Sequence, residues 1–258
     1  MIYVKRWYLN NPLRNYNYLF VNDANHKALI IDPTMAEHYE QFLNEHNIEA
    51  EAILLTHDHG DHIAAVAALK AKYNIPVYAH FEHYRGHPVD HYVKDGEQLS
   101  FNTANCQVIT CPGHIASHVS FYFPEQELLF CGDTIFTAGV GNVKDSTADV
   151  VRLYHSIEKL RSLPETTQLY PAHDYFENNL SFAQSIQPQD DYYRQWFDKV
   201  TNITPEDKPI TTLADENQMN IFFRANEDEL QAILRQTNAN IIDAQTAFCE
   251  LRARKDAF

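Results

Sequence analysis

The hydrophobic and polar positions of the chain change pattern about two thirds of the way along it. In the first part, short apolar runs bounded by turn residues are typical of buried strands, and longer amphipathic stretches are typical of helices. The runs predict two strands within residues 19–32 and single strands at 51–56, 75–80, 106–111, 118–123, 127–131 and 167–173. Helices are predicted at 62–73 and 148–164, the second ending near Pro164.

After about Asp174 the strand signals stop and helical patterns take over. The predicted helices lie at 178–186, 190–200, 227–237 and 241–258. A segment of this size is a small but feasible domain. We therefore predict an α/β domain over residues 1–173 and a helical domain over residues 174–258.

Composition and charge narrow the possible partners. The 258 residues carry a formal net charge of −15, and an acidic surface repels phosphate backbones, so we expect no nucleic-acid partner. No apolar run approaches the length of a membrane helix, and the N-terminus lacks the apolar region of a secretory signal. The four cysteines form no CxxC pair, which favours reduced thiols. We expect a cytoplasmic protein without membrane contact.

The richest cluster of metal-ligating side chains is the run Thr56-His57-Asp58-His59-Gly60-Asp61-His62. It follows a predicted strand and precedes a predicted helix, so its side chains can converge on one point. Three histidines and a carboxylate at this spacing suit Zn, Fe or Mn. A histidine-rich surface loop without metal is the alternative, and it rarely follows a buried strand.

Three further motifs each supply one ligand type at the end of a predicted strand. They are Cys111-Pro-Gly-His114, Phe130-Cys-Gly-Asp133 and Tyr170-Pro-Ala-His173. Singly each is weak, because a histidine or aspartate in a turn is usually a cap or a surface group. Together with the first run they supply seven ligands, which is the number that two metals need when one carboxylate bridges them.

This order of motifs resembles that of the metallo-β-lactamase superfamily, whose fold is an αββα sandwich. The resemblance implies that one metal is held by His57, His59 and His114. A second metal would be held by Asp61, His62 and His173, with Asp133 bridging the two ions. Asp61 and Asp133 would also serve catalysis around a metal-bridging hydroxide. We expect two divalent metal ions, with zinc preferred and iron or manganese possible. β-Lactamases of the dinuclear class usually have Cys in place of Asp133, which argues against that activity.

The C-terminal region resembles glyoxalase II, and the resemblance covers essentially the whole chain. It rests on the segments 178–183, 212–216, 220–224 and the final ELRARKDAF. The resemblance implies that the helical domain over residues 174–258 binds substrate and that Arg252, Lys255 and Tyr175 contact glutathione. Arg252 and Lys255 are three residues apart and so share a helix face, although basic residues there also suit the helix dipole. Asn142 and Lys144 depart from the family at carrier-binding positions, where Lys144 is a candidate replacement for the lost charge.

The resemblance implies hydrolysis of S-D-lactoylglutathione to D-lactate and glutathione, which is a step in methylglyoxal detoxification. Two enzymatic alternatives stay open: a persulfide dioxygenase with one iron, and a hydrolase of another thioester or of a lactone. A non-enzymatic alternative is a metal-stabilised binding protein. We expect a monomer or a weak homodimer with a small-molecule glutathione thioester as its partner.

Overall fold

A computed structural model describes residues 1–258. The chain forms two compact units. The first comprises residues 1–110 and 117–132, and the second comprises residues 111–116 and 133–258.

Fifteen strands and eight α-helices make up the regular structure. The strands are β1 (Ile2–Tyr8), β2 (Tyr16–Asn22), β3 (Lys27–Ile31), β4 (Glu49–Leu54), β5 (Val77–Ala79), β6 (His83–Tyr84), β7 (His87–Pro88), β8 (His91–Tyr92), β9 (Gln98–Ser100), β10 (Asn105–Thr110), β11 (Val119–Phe123), β12 (Leu128–Gly132), β13 (Ile135–Phe136), β14 (Gly139–Val140) and β15 (Gln168–Pro171). The helices are α1 (Glu37–His46), α2 (Val66–Tyr73), α3 (Val150–Arg161), α4 (Phe176–Ile186), α5 (Asp191–Val200), α6 (Leu213–Met219), α7 (Asp228–Arg235) and α8 (Ala244–Ala257).

The first unit contains a six-stranded sheet in the order β1-β2-β3-β4-β5-β8. Its first three strands pair antiparallel, whereas β3, β4, β5 and β8 run parallel. Parallel neighbours require crossover connections, and α1 and α2 supply two of them. The parallel strands therefore end on one edge, which is where the loop after β4 begins.

A second sheet of the same unit contains β12, β11, β10 and β9 in that order, all antiparallel. Aromatic side chains join its inner face to the first sheet. The rings of Phe20 and Phe123 lie 4.6 Å apart, and those of Tyr18 and Phe130 lie 5.6 Å apart. The two sheets therefore pack face to face, which explains why every residue of β11 and β12 is buried.

The other face of the six-stranded sheet is covered by helices. Tyr39 and Leu43 of α1 and Val66 and Leu69 of α2 belong to one buried cluster with strand residues such as Ile53. The first unit thus has three layers, which are helices, a sheet and a second sheet.

The second unit is mainly helical, with the short hairpin β13–β14 near its start. The Asp149 side chain begins α3 by accepting hydrogen bonds from Val151 N and Arg152 N. Reciprocal capping boxes begin α6 at Thr212 and α8 at Asp243. Tyr154 of α3 packs edge-on against Phe248 of α8 at 5.5 Å.

The sequence prediction missed strand β1, helix α1, the short strands β6, β7, β8, β9, β13 and β14, and helix α6. Strand β1 (IYVKRWY) is partly exposed and carries two basic residues, so it lacks the apolar run that marks the buried strands. Helix α1 begins without a side-chain cap at Ala36, so the usual start signal is missing. No helix of the chain has the length and apolar character that crossing a membrane requires. The domain boundary after His173 stays a prediction.

Candidate metal centre

The loop after β4 carries the first predicted ligands, and Asp32 fixes its start. Thr56 N donates to Asp32 Oδ1 at 2.8 Å, and the Thr56 hydroxyl donates to Oδ2 at 2.6 Å. Asp32 follows β3 directly and has a φ of 44°, an unusual backbone conformation for a residue other than glycine. This buried carboxylate therefore fixes the position of Thr56, directly before His57.

The same carboxylate orients His62. Its Oδ2 lies 3.1 Å from Nδ1 of the buried His62 ring. A ring that donates from Nδ1 presents the lone pair of Nε2, which is the form that binds a metal. Nδ1 of His57 likewise lies 3.1 Å from the Thr56 hydroxyl. The arrangement suits both rings to act through Nε2.

Two polar side chains of the first unit position Asp61. Asn15 is buried and donates from Nδ2 to Asp61 Oδ2 at 2.8 Å. The Thr34 hydroxyl donates to the backbone oxygen of Asp61 at 2.5 Å. With these contacts, Asp61 Oδ2 lies 3.5 Å from His62 Nε2.

The second unit contributes His114, Asp133 and His173, all buried. Nδ1 of His114 lies 2.8 Å from the backbone oxygen of Asn142 and can only donate to it, which again leaves Nε2 as the ligating atom. Asp133 Oδ2 lies 3.5 Å from His114 Nε2, and Asp133 Oδ1 lies 3.2 Å from His173 Nε2. Each oxygen of Asp133 therefore faces a different histidine.

The seven predicted ligands fall into two groups that could each hold a metal ion, with possible ligand atoms within 4.8 Å of one another. The first group is His57, His59, His114 and Asp133, and the second is Asp61, His62 and His173.

The donor set fits two transition-metal ions. Two ligands bonded to one tetrahedral ion at 2.0–2.2 Å stand about 3.4 Å apart. The distances of Asp133 to His114 and His173, 3.5 and 3.2 Å, agree with that spacing. Imidazole nitrogens and carboxylates are the ligands that Zn, Fe and Mn accept. The coordination of each residue stays a prediction.

The predicted carrier contacts lie in the second unit, and two of them are engaged with the protein itself. Arg252 is 5% exposed and donates from Nη1 to the backbone oxygens of Val140 and Gly141, at 3.0 and 3.2 Å. Its Nη2 donates to Asp256 at 2.9 Å. Arg252 thus stabilises the backbone at Val140 and Gly141, and its contact with a carrier stays a prediction.

Lys255 is half-buried and donates to the backbone and side-chain oxygens of Asn178. Burial, and to a smaller extent the charge of Arg252, lowers the pKa of Lys255 to about 7. The rings of Tyr175 and His173 stack in parallel, with centroids 5.1 Å apart. Tyr175 is therefore placed beside a predicted ligand, whereas Lys255 stands beside Asn178 on helix α4.

Asn142 and Lys144 share one loop. The Asn142 side chain accepts a hydrogen bond from Lys144 N at 3.1 Å, and the Lys144 side chain is exposed. The side chain of Asn142 thus caps its own loop, while its backbone oxygen serves His114.

Sequence reasoning missed the residues that orient the ligands. Asp32 had a detectable signal, since it is a polar residue at the end of a buried apolar run. Asn15 lies in a turn-rich segment before β2, and nothing in its neighbours indicates that its amide reaches Asp61. The oxygen of Asn142 belongs to the backbone, so side-chain identity carries no signal for it.

Two family models together match residues 11–258 of the chain. Residues 11–173 match the metallo-beta-lactamase superfamily, and residues 174–258 match the C-terminal region of hydroxyacylglutathione hydrolase.

Individual proteins agree with these models. A hydroxyacylglutathione hydrolase of Francisella philomiragia is 45% identical over 233 residues, covering 89% of this chain and 91% of the relative. Another, from Francisella tularensis subsp. novicida, is 46% identical and covers 88% of this chain and 89% of the relative.

Solved structures share the fold. BLEG-1, a B3 metallo-beta-lactamase, has a TM-score of 0.68 at 27% identity and covers 86% of this chain and 99% of its own. TTHA1623, in a di-iron-bound form, has a TM-score of 0.63 at 27% identity, covering 84% of this chain and 99% of its own. This chain therefore has the metallo-β-lactamase fold with a helical C-terminal region, and it belongs to the hydroxyacylglutathione hydrolase family of the metallo-beta-lactamase superfamily.

Proposed function

We propose that this protein hydrolyses S-D-lactoylglutathione to D-lactate and glutathione at a centre of two divalent metal ions. The observation that carries the proposal is the position of Asp133, whose two oxygens face His114 and His173, members of different ligand groups. The match of residues 174–258 to the hydroxyacylglutathione hydrolase C-terminus supports the substrate.

The metal ions would be held by the two groups of residues, with Asp133 shared between them. Such ions would supply Lewis-acid chemistry, since they would make bound water more acidic and would favour the negative charge that develops as the thioester is cleaved. Zinc is our preferred metal, and iron and manganese suit the same ligands.

Neighbouring residues fix the tautomer of the histidine ligands and the orientation of Asp61. Asp32 and the backbone oxygen of Asn142 accept hydrogen bonds from Nδ1 of His62 and His114, so both rings present Nε2. Asn15 donates a hydrogen bond to Asp61 Oδ2, which fixes the direction of this carboxylate. We propose Asp61 and Asp133 as the catalytic carboxylates.

Carrier binding would rest on Arg252, Lys255 and Tyr175, with Lys144 at the exposed edge of its loop. The lowered pKa of Lys255 means that part of the population is uncharged near neutral pH. An arriving carboxylate would stabilise the ammonium form and draw a proton onto Lys255. This interaction positions the substrate and takes no part in bond breaking.

Asn142 favours a second candidate, hydrolysis of a thioester with a different carrier or of a lactone. Its side chain is hydrogen-bonded within its own loop and carries no charge for a carboxylate. We also propose a cytoplasmic location, since the proposed substrate is a small intracellular thiol conjugate. We propose further that the protein is a monomer or a weak homodimer.

Steady-state hydrolysis of matched substrates tests the proposal. S-D-lactoylglutathione is compared with the same lactoyl thioester of N-acetylcysteamine, which lacks the glycine carboxylate, and with a simple lactone. We expect the glutathione thioester to give the highest kcat/KM. A higher value for either of the others would move the substrate away from glutathione. Oxygen consumption with glutathione persulfide, at one iron per chain, would instead indicate a dioxygenase.

A further inference from the structure

A buried lysine lies beside the start of helix α4, directly after the predicted ligand His173. Nζ of Lys208 lies 3.0 and 2.9 Å from the two carboxylate oxygens of Asp174 and 2.8 Å from Oε1 of Glu177. The side chains of Lys208 and Asp174 are only 3% and 1% exposed. Lysine is almost never this deeply buried unless it is paired, so the ion pair is a specific feature of the fold. None of its members is a predicted ligand or carrier contact.

The backbone that carries Lys208 is anchored to strand β15, which leads into the predicted ligand. Gln168 of β15 and Thr212 form an antiparallel bridge, and Leu169 N donates to Thr211 O at 2.8 Å. The two segments run in opposite directions, so Lys208 lies level with the end of β15. The lysine side chain therefore reaches Asp174 from a backbone that is itself hydrogen-bonded to the strand before the ligand.

Asp174 stands between His173 and Tyr175 in the chain, and the rings of these two neighbours stack in parallel at 5.1 Å. Nε2 of His173 lies 3.2 Å from the predicted bridging carboxylate. Helix α4 begins at Tyr175 without a side-chain cap, so the usual contact that fixes a helix start is missing. The bonds of Lys208 to Asp174, and to Glu177 in the first turn, fix this segment instead.

We propose that Lys208 is a positioning residue, which holds Asp174 and thereby fixes the direction in which His173 meets a metal ion. The inference rests on the metal centre of the proposed function and adds a residue that orients one of its ligands. His173 belongs to only one of the two ligand groups, so the effect should concern one of the two ions. Residues that orient a metal ligand typically change metal affinity or activity by about 10- to 100-fold when removed.

Zinc binding by folded, full-length protein tests the proposal, with chelator competition measuring the affinity for each of the two ions. Lys208→Met removes the positive charge and keeps an unbranched side chain, whereas Lys208→Arg keeps the charge. Each change is made in the wild type and in the His173→Ala background. Circular dichroism confirms folding, and denaturant unfolding measures stability.

Arg224→Met is the matched control. Arg224 lies in the same helical region, is largely buried, and forms ion pairs with Asp190 and Glu227 at 2.7 and 2.8 Å. Neither partner adjoins a predicted ligand in the chain. Removing one partner of a buried ion pair leaves a charge unpaired, so Lys208→Met and Arg224→Met should both lower stability. Zinc affinity separates a positioning role from a purely stabilising one.

We expect Lys208→Met to bind one of the two zinc ions about 10- to 100-fold more weakly than the wild type. Lys208→Arg should recover part of the loss, and Arg224→Met should keep wild-type affinity for both ions. In the His173→Ala background, Lys208→Met should cause no further loss of zinc affinity, because two changes that act through the same ligand are not additive.

Wild-type affinity for both zinc ions in Lys208→Met would overturn the proposal. A further loss in the His173→Ala background, or an equal loss in Arg224→Met, would also overturn it, because Lys208 would then act by another route or through stability alone. If Lys208→Met does not fold, Asp174→Asn takes its place in both backgrounds, since Lys208 then keeps Glu177 as its partner.

The outcome is separable from that of the proposed activity. A wild type that binds two zinc ions and hydrolyses no thioester would refute the activity and leave this comparison of zinc affinities intact.

Discussion

At the residue scale, hydrogen bonds at Nδ1 orient three of the predicted histidine ligands. Three histidines have Nδ1 within hydrogen-bond reach of an oxygen, namely Thr56 Oγ1, Asp32 Oδ2 and Asn142 O. A neutral histidine that donates from Nδ1 has its lone pair on Nε2, so metal binding needs no tautomer change. The orientation of the centre is therefore encoded as much in Asp32 and Asn15 as in the ligands.

Asp32→Asn tests this orientation. Asparagine keeps the shape, but its amide cannot accept every hydrogen bond from Thr56 and His62. We expect metal affinity or kcat/KM to fall about 10- to 100-fold, measured by chelator competition and steady-state kinetics. Asp23→Asn, in the turn between β2 and β3, serves as the control and should behave as wild type. Equal behaviour of the two variants would contradict the role of Asp32.

Lys255 offers a pH-dependent prediction. Its pKa is lowered to about 7, so the folded protein loses this positive charge as pH rises through 7. If the ammonium binds the carrier carboxylate, KM for S-D-lactoylglutathione should rise above pH 7 by up to about tenfold per unit. Lys255→Arg keeps its charge at these pH values and should show a flatter KM profile. Identical profiles in both proteins would remove Lys255 from carrier binding.

At the element scale, loops that follow strands carry the ligands, and hydrogen bonds fix the conformation of these loops. The loop after β4 is fixed by Asp32, and the hairpin after β12 is fixed by hydrogen bonds with the side chains of Asn179, Glu216, Asn220 and Arg252. Both sets of contacts lie far from the ligands in sequence. Glycine is required where these loops pack most tightly, at Gly141 against the Asp133 backbone.

Gly141→Ala tests the close packing of the hairpin. The added methyl group would overlap the backbone oxygen of Asp133, which cannot move without moving the ligand. We expect a loss of about 1–3 kcal/mol in the free energy of unfolding and a lower metal content. Gly60→Ala is the control, because a Cβ at Gly60 has no heavy atom within 4 Å. Denaturant unfolding measures both, and similar losses in the two variants would contradict the packing argument.

At the scale of the whole molecule, stability should depend on pH through Glu216. Burial raises its pKa in the folded state from 4.5 to about 8. The folded chain therefore holds a proton that the unfolded chain releases over this window, so the free energy of unfolding falls as pH rises from 4.5 to about 8. Above about pH 8 this contribution levels off.

Glu216→Gln should remove that pH dependence, because glutamine does not titrate. We expect the difference in unfolding free energy between wild type and Glu216→Gln to move in favour of the variant as pH increases across this window. The measurement is denaturant unfolding of metal-free protein at several pH values, since metal binding is itself pH-dependent. A difference that stays constant with pH would show that Glu216 titrates normally.

Much of the fold was predictable, because buried strands and amphipathic helices have periodic patterns. The runs 19–32, 118–123 and 127–131 became β2, β3, β11 and β12. Strand β1 was missed because a half-exposed strand with Lys5 and Arg6 lacks such a run.

The candidate ligands were predictable because histidine and aspartate at strand ends are rare in such number. Their supports were not predictable. Asn15 reaches Asp61 across 46 positions, and Arg252 reaches Val140 across 112, so only the folded chain brings them together. Backbone oxygens such as that of Asn142 act without regard to side-chain type, and therefore no sequence motif marks them.

The most direct test of the central claim is kcat/KM for S-D-lactoylglutathione, measured on wild type and Asp133→Ala together with the number of metal ions per chain. The account predicts two metals and a kcat/KM of about 10⁴ M⁻¹s⁻¹ or more for the wild type. Asp133→Ala should bind fewer metals and lose nearly all turnover. Two metals in Asp133→Ala with undiminished hydrolysis, or a wild type that binds two metals and leaves this thioester intact, would contradict it.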